Sequence, residues 1–167
     1  MILATHAIIG AAAASLFPDH PTLAFSAAFV SHFIFDAVPH WHYSMSSIEI
    51  DEHNGMNNNM KLKKGFFSDL LKIGLDGLAG LIVSYFIFTS IKTPFWIIIL
   101  GVAGAILPDP LQFVYWKWRH EPLISLQRFH MWIHSKINMD NMHFVGIVTQ
   151  IAIIVATVFG VSYIRSF

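Results

Sequence analysis

His32 and Asp36 in HFIFD, and His130 and His134 in HMWIH, are each four residues apart. On an α-helix that interval is about one turn, so both members of a pair project from one face and can grip the same ion. Their neighbours are apolar, and burying ionisable groups there is costly unless a partner or a cation compensates. The chain contains no cysteine, so a metal would be held by nitrogen and oxygen alone, from His, Asp or Glu. Each pair also has a plainer explanation. Asp36 could simply satisfy His32 one turn away, and His130 and His134 could be polar-face residues of an interfacial helix.

Five further positions bear on the same chemistry. Asp76 lies about ten residues into its apolar segment, roughly 15 Å along a helix, where it must be protonated, paired with Lys72, or metal-bound. Asp109 follows Pro108 at the end of another apolar run and suits either a turn or a ligand. His6 sits inside the first apolar run, as a ligand or as a core histidine satisfied by backbone. His40 and His42 follow Pro39 directly after the HFIFD turn. His53, His120 and His143 read as loop or rim residues.

The elements that must position these groups are unusually oily. Of 167 residues, 55% are hydrophobic and 12% charged, with ten Lys plus Arg balanced by ten Asp plus Glu. Such a chain is read as one membrane-embedded domain, residues 1–167, all-α: a polytopic bundle of about five hydrophobic helices plus an interfacial amphipathic helix. Apolar runs cover residues 2–17, 21–38, 66–91, 94–107 and 142–164, with Pro18, Pro39 and the LPDP of residues 107–110 as stops. Residues 41–64 read as a polar, mobile loop, and residues 111–139 as the interfacial segment. Trp41, Trp116, Trp118 and Trp132 fit an aromatic belt at the headgroups, which makes membrane lipid the expected partner. No basic stripe suggests nucleic acid. MILATHAIIG lacks the basic start of a cleaved signal peptide, so the N-terminus is expected to be retained.

Alternating topology then dictates where the chemistry collects. His6 at the start of the first run, His32, Asp36, His40 and His42 at the end of the second, Asp69 and Asp76 early in the third, and Asp109 at the end of the fourth all fall on one side. His130 and His134 follow in the adjoining stretch. Asp19, His20 and Lys92 go to the other side. Lys61, Lys63, Lys64, Lys117, Arg119, Arg128 and Lys136 share the His-rich side, which the positive-inside rule makes cytoplasmic, at the inner or plasma membrane. Positions 69, 72, 76, 80 and 84 of the third run form a polar and small stripe expected to face the bundle.

HFIFDAVPHWH (His32 to His42) resembles the H-F-x-x-D-x-x-x-P-x-H signature of the zinc-dependent phospholipase C and single-strand nuclease superfamily. His32 and Asp36 match directly, and Pro39 falls one position early, leaving His40 or His42 as the third equivalent. Thr5-His6 with its apolar run, the LPD of Leu107 to Asp109 and the IHS of Ile133 to Ser135 resemble the pattern of YdjM-like membrane-bound metal-dependent hydrolases, which are multi-span proteins. The resemblance implies one or more divalent ions, zinc above all, with His6, His32, Asp36, His40, Asp109, His130 and His134 as ligands. The His130/His134 pair suits a second metal position. The expected activity is hydrolysis of a phosphate ester, such as a phospholipid headgroup, by a metal-activated water, with Asp76 or Asp36 as the catalytic carboxylate. The rival is a protein that binds or transports divalent cations or protons without catalysis.

Overall fold

The computed structural model describes residues 1–90, 93–137, 139 and 141–166; Lys92, expected at the far end of the bundle, lies outside them. The described residues form seven α-helices and one two-stranded hairpin. In chain order these are α1 (Leu3–Ser15), α2 (Pro21–Asp36), β1 (Ile48–Glu49), β2 (Asn59–Met60), α3 (Phe66–Ser90), α4 (Phe95–Ile106), α5 (Pro108–Lys117), α6 (Leu123–Ile133) and α7 (His143–Ile164). Proline supplies most of the punctuation. Pro21 and Pro108 occupy first-turn positions, where a missing N–H costs nothing, and α2 stops before Pro39.

The expectation of about five hydrophobic spanning helices is not met. Two helices, Phe66–Thr89 and His143–Ile164, are long and apolar enough to cross a membrane, and a third span results if α4 and α5, bent by 42° at their junction, count as one. At 13, 16 and 12 residues, α1, α2 and α4 are too short for the roughly 20 residues that hydrocarbon demands. α1 forms the interior instead, while α2 and α4 are buried along one face. α1 packs against α2, α3, α4 and α7. Small residues one turn apart make that possible: a methyl added at Gly101 of α4 would lie 2.6 Å from the Gly10 carbonyl oxygen and 2.7 Å from Ala14, and one at Gly80 of α3 would lie 2.7 Å from Ala7. Such close backbone approach is how apolar helices associate where water supplies no drive.

The polar stripe of α3 does face the bundle at Asp69, Gly80 and Ser84, whereas Lys72 is half exposed. Residues 41–64 are not a free loop. Ile48 pairs with Met60 and Glu49 with Asn59, a 3-10 turn spans Gly55–Asn57, and buried Asp69 accepts from the Ser47 amide at 2.8 Å and hydroxyl at 2.7 Å. The expected single interfacial segment is two helices, α5 and α6, and the hairpin lies against α5, where the Tyr115 hydroxyl donates to the Met56 carbonyl at 3.0 Å. Trp116 leaves the expected aromatic belt, since it is buried with Met60 and Tyr115, while Trp118 and Trp132 are exposed.

Candidate metal centre

The start of α1, the end of α2, the junction of α4 with α5 and the end of α6 meet at one end of the bundle, so histidines and carboxylates from up to 128 positions apart converge. Asp36, 2% exposed, is at their centre. Its Oδ1 lies 3.0 Å from His6 Nε2 and 3.1 Å from the Met1 amine, and its Oδ2 lies 3.1 Å from His32 Nε2 and 2.9 Å from His130 Nε2. His32 Nε2 is also 3.7 Å from Asp109 Oδ1 and 3.4 Å from His130 Nε2. The backbone ties two of the elements together, with the Ser135 amide donating to the Asp36 carbonyl at 2.8 Å.

Protons can be assigned at three of these rings. His32 Nδ1 lies 2.8 Å from the Ala105 carbonyl, His40 Nδ1 2.6 Å from that of Val38, and His134 Nδ1 3.1 Å from that of Ser135. A carbonyl only accepts, so each Nδ1 donates, and in the neutral ring Nε2 carries a lone pair. This is the arrangement by which an outer partner fixes the tautomer of a metal-ligating histidine. It also creates a conflict, because the lone pair of neutral His32 faces the Asp36 carboxylate and the His130 nitrogen. Acceptors facing one another at about 3 Å are relieved only by a cation between them, a proton or a metal. His6 adds to it. Its Nε2 approaches Asp36 off the hydrogen-bond axis, and both its ring nitrogens are buried without a hydrogen bond.

Three groups have ligand atoms close enough to share an ion: His6, His32 and Asp36; His32, Asp109 and His130; and His40, His42 and His134. Ligands about 2.0–2.2 Å from a tetrahedral ion stand about 3.3–3.6 Å apart, which the 3.4 and 3.7 Å separations around His32 approach. With Nδ1 committed to Ala105, His32 offers one nitrogen and can serve one ion. The first two groups are therefore alternatives, or parts of one site with up to five donors.

The third group shares no residue with the other two and is purely imidazole, and His40 Nε2 adjoins the first cluster at 3.7 Å from Asp36 Oδ1. His40 Nε2 lies 2.9 Å from His42 Nε2, and the His134 ring packs against both. Burial pushes the His40 pKa down to about 3, helped by the Met1 ammonium and His42, and burial also lowers that of His134. Both are thus held in the neutral, ligating form at neutral pH. His40 and His42, alternatives in the sequence motif, belong here together.

Asp76 is placed apart from all three groups. It accepts from the Leu3 amide at 2.6 Å and the Ala4 amide at 3.2 Å, capping α1 from a neighbouring helix, and Lys72 pairs with Asp69 at 3.1 Å rather than with Asp76. Burial, with the Asp76 and Asp109 carboxylates nearby, pushes the Tyr43 hydroxyl pKa up. Sequence reasoning missed Gln150 of α7. Its amide oxygen accepts from Ile2 N and Thr5 Oγ1, both at 3.1 Å, and its nitrogen donates to the Trp41 carbonyl at 3.1 Å. It thereby joins the start of α1 to the His40–His42 segment, and the signal for it was a lone glutamine in an apolar helix. A cavity of about 470 Å³ opens over the cluster, with Asp36, Asp109, His130 and His134 among its lining. No protein-family model, no curated protein and no solved structure matches this chain.

Proposed function

We propose that the protein is a membrane-embedded, metal-dependent hydrolase of phosphate esters, with zinc as its ion and its site near the cytoplasmic face. The observation that carries this reading is the buried Asp36 carboxylate ringed by His6, His32 and His130 beside a cavity of substrate size. His32, His130 and Asp36 would hold one ion and leave its fourth position open with Asp109 beside it, and His40, His42 and His134 would hold a second. An ion with an open coordination position lowers the pKa of its water toward neutrality and stabilises charge on a phosphoryl oxygen. In the reaction the water oxygen bonds to phosphorus as the bond to the alcohol oxygen breaks. One water proton goes to the leaving alkoxide. The other goes to a carboxylate, and Asp109 suits this better than Asp36 or Asp76, because its side chain is 35% exposed and lines the cavity.

Transport would favour ligands strung along the spans. Among the described residues, the three candidate groups gather at one end, which supports a closed centre. The test is metal analysis of protein purified without chelator, followed by phosphomonoester and phospholipid turnover in the parent and in Asp36→Asn. Stoichiometric zinc and turnover lost in the variant are expected; equal rates in both would sink the catalytic reading.

A further inference from the structure

The cavity above the histidines has two chemically different halves. Its floor is the polar cluster already described, whereas Phe66, Leu70 and Ile73 from the first turns of α3, with Phe113 of α5, make an apolar wall. A small, fully hydrated phosphate ester has no use for such a wall. Phe66, Ile73 and Phe113 pack against the cluster of Met60, Tyr115 and Trp116, and Met60 of the hairpin lines the cavity beside them.

α3 is also one of the two helices able to cross a membrane, and its outer face is apolar and open, with Phe67, Leu71 and Leu75 all exposed. Leu70 belongs to both surfaces, lining the cavity while remaining half exposed. The apolar wall is therefore continuous with the face that a bilayer would cover.

We infer that the wall formed by Phe66, Leu70, Ile73 and Phe113 is an alkyl-chain subsite, so that the substrate is an amphiphilic phosphoester entering sideways from the bilayer with its phosphate on the histidine floor. This rests on the hydrolase reading for the reaction but not for the binding. A cavity of about 470 Å³ lies within the range of sites that hold a small amphiphile. Phe66, Ile73 and Phe113 then set specificity by length, and Asp109 and His130 face the phosphate end.

The test uses the full-length protein in nanodiscs, loaded with zinc, and a series from ethyl to octyl phosphate, which stay monomeric in water. Each methylene buried is worth up to about fourfold, equivalent to ~0.8 kcal/mol. kcat/KM from phosphate release is expected to rise at least tenfold across the series in the parent and to flatten in both Ile73→Asn and Phe113→Ser. A flat series in the parent overturns the subsite while leaving the hydrolase reading intact. A slope that persists in both variants assigns chain preference to the lipid and overturns it too. Should no ester be turned over, the hydrolase reading fails and binding decides: brominated octyl phosphonate is expected to quench Trp116, which lines the cavity, with the quenching lost in Trp116→Phe. Equal quenching in parent and variant rejects the subsite.

Discussion

α1 and α7 are both apolar helices, yet they occupy opposite environments. α1 has 13 residues, 11 of them buried, and runs through the middle of the bundle carrying His6; α7 has 22, and only Gly146, Gln150 and Val161 are buried. The difference is written in side-chain size. α1 is built from alanine and glycine, which let neighbouring backbones close in, whereas α7 is rich in Ile, Val and Phe, which present an apolar surface outward. Hydropathy alone does not separate these cases, because it measures dislike of water and not which material, protein or lipid, replaces the water. α3 and α7 pack against α1 and its His6, whereas His32 and Asp36 of α2 are enclosed by α1, α4 and α6.

Five substitutions would break or sharpen that contrast. The largest effect is expected from Gly10→Leu in α1, where even a methyl would run into Ala105 and come within 2.5 Å of the Gly101 carbonyl oxygen. Separation of α1 from α4 should cost more than about 3 kcal/mol, or prevent folding. Gly160→Leu in α7, which has open space around it, should stay within about 0.5 kcal/mol of the parent in thermal unfolding. If both glycines tolerate leucine, the inner and outer roles are wrongly assigned.

Next is Asp36→Asn. Calorimetric zinc affinity should fall at least about 100-fold, beyond what the loss of an outer partner costs. Affinity within threefold of the parent would leave Asp36 as a purely structural partner of its histidines. Asp76→Ala is expected to do the reverse, destabilising the protein by about 1 kcal/mol through the lost cap on α1 while zinc affinity holds. A collapse in affinity would return Asp76 to the metal centre.

The smallest effect concerns Tyr43. Burial, together with Asp76 and Asp109, raises its pKa, so the folded state keeps the phenol proton where the unfolded chain releases it. The unfolded state then binds fewer protons, and stability falls as pH climbs above about 10. Tyr43→Phe should flatten this alkaline decline in unfolding scans from pH 9 to 11, and an unchanged decline would place its origin elsewhere.

Much of the architecture was legible because proline marks it. The ends of α2 and α4 follow from Pro39 and Pro108, and alternation alone brought His6, His32, Asp36 and Asp109 to one end; the start of α5 was not legible, since residues 107–110 read as a stop where Pro108 in fact opens a helix. The number of spans was not legible, for the reason α1 and α7 illustrate. The hairpin at Ile48 and Met60 was hidden because its strands are two residues long and flanked by polar sequence, and it depends on Asp69 and Tyr115 from distant helices. His42 was visible only as an alternative to His40, since sequence spacing cannot tell that both rings turn toward His134.

The bend between α4 and α5 has a consequence that reaches into the chemistry. Pro108 and Pro110 have no N–H to return to the carbonyls of Gly104 and Ile106, so the ladder breaks there, and the resulting bend leaves the Ala105 oxygen, whose partner in a continuous helix would be the Asp109 amide, to take the His32 proton. A prolyl corner thus aims an imidazole. Straightening it with Pro108→Ala and Pro110→Ala would let the backbone compete for that oxygen and leave the ring free to rotate, so that which nitrogen looks at Asp36 is decided by two residues that never touch the carboxylate.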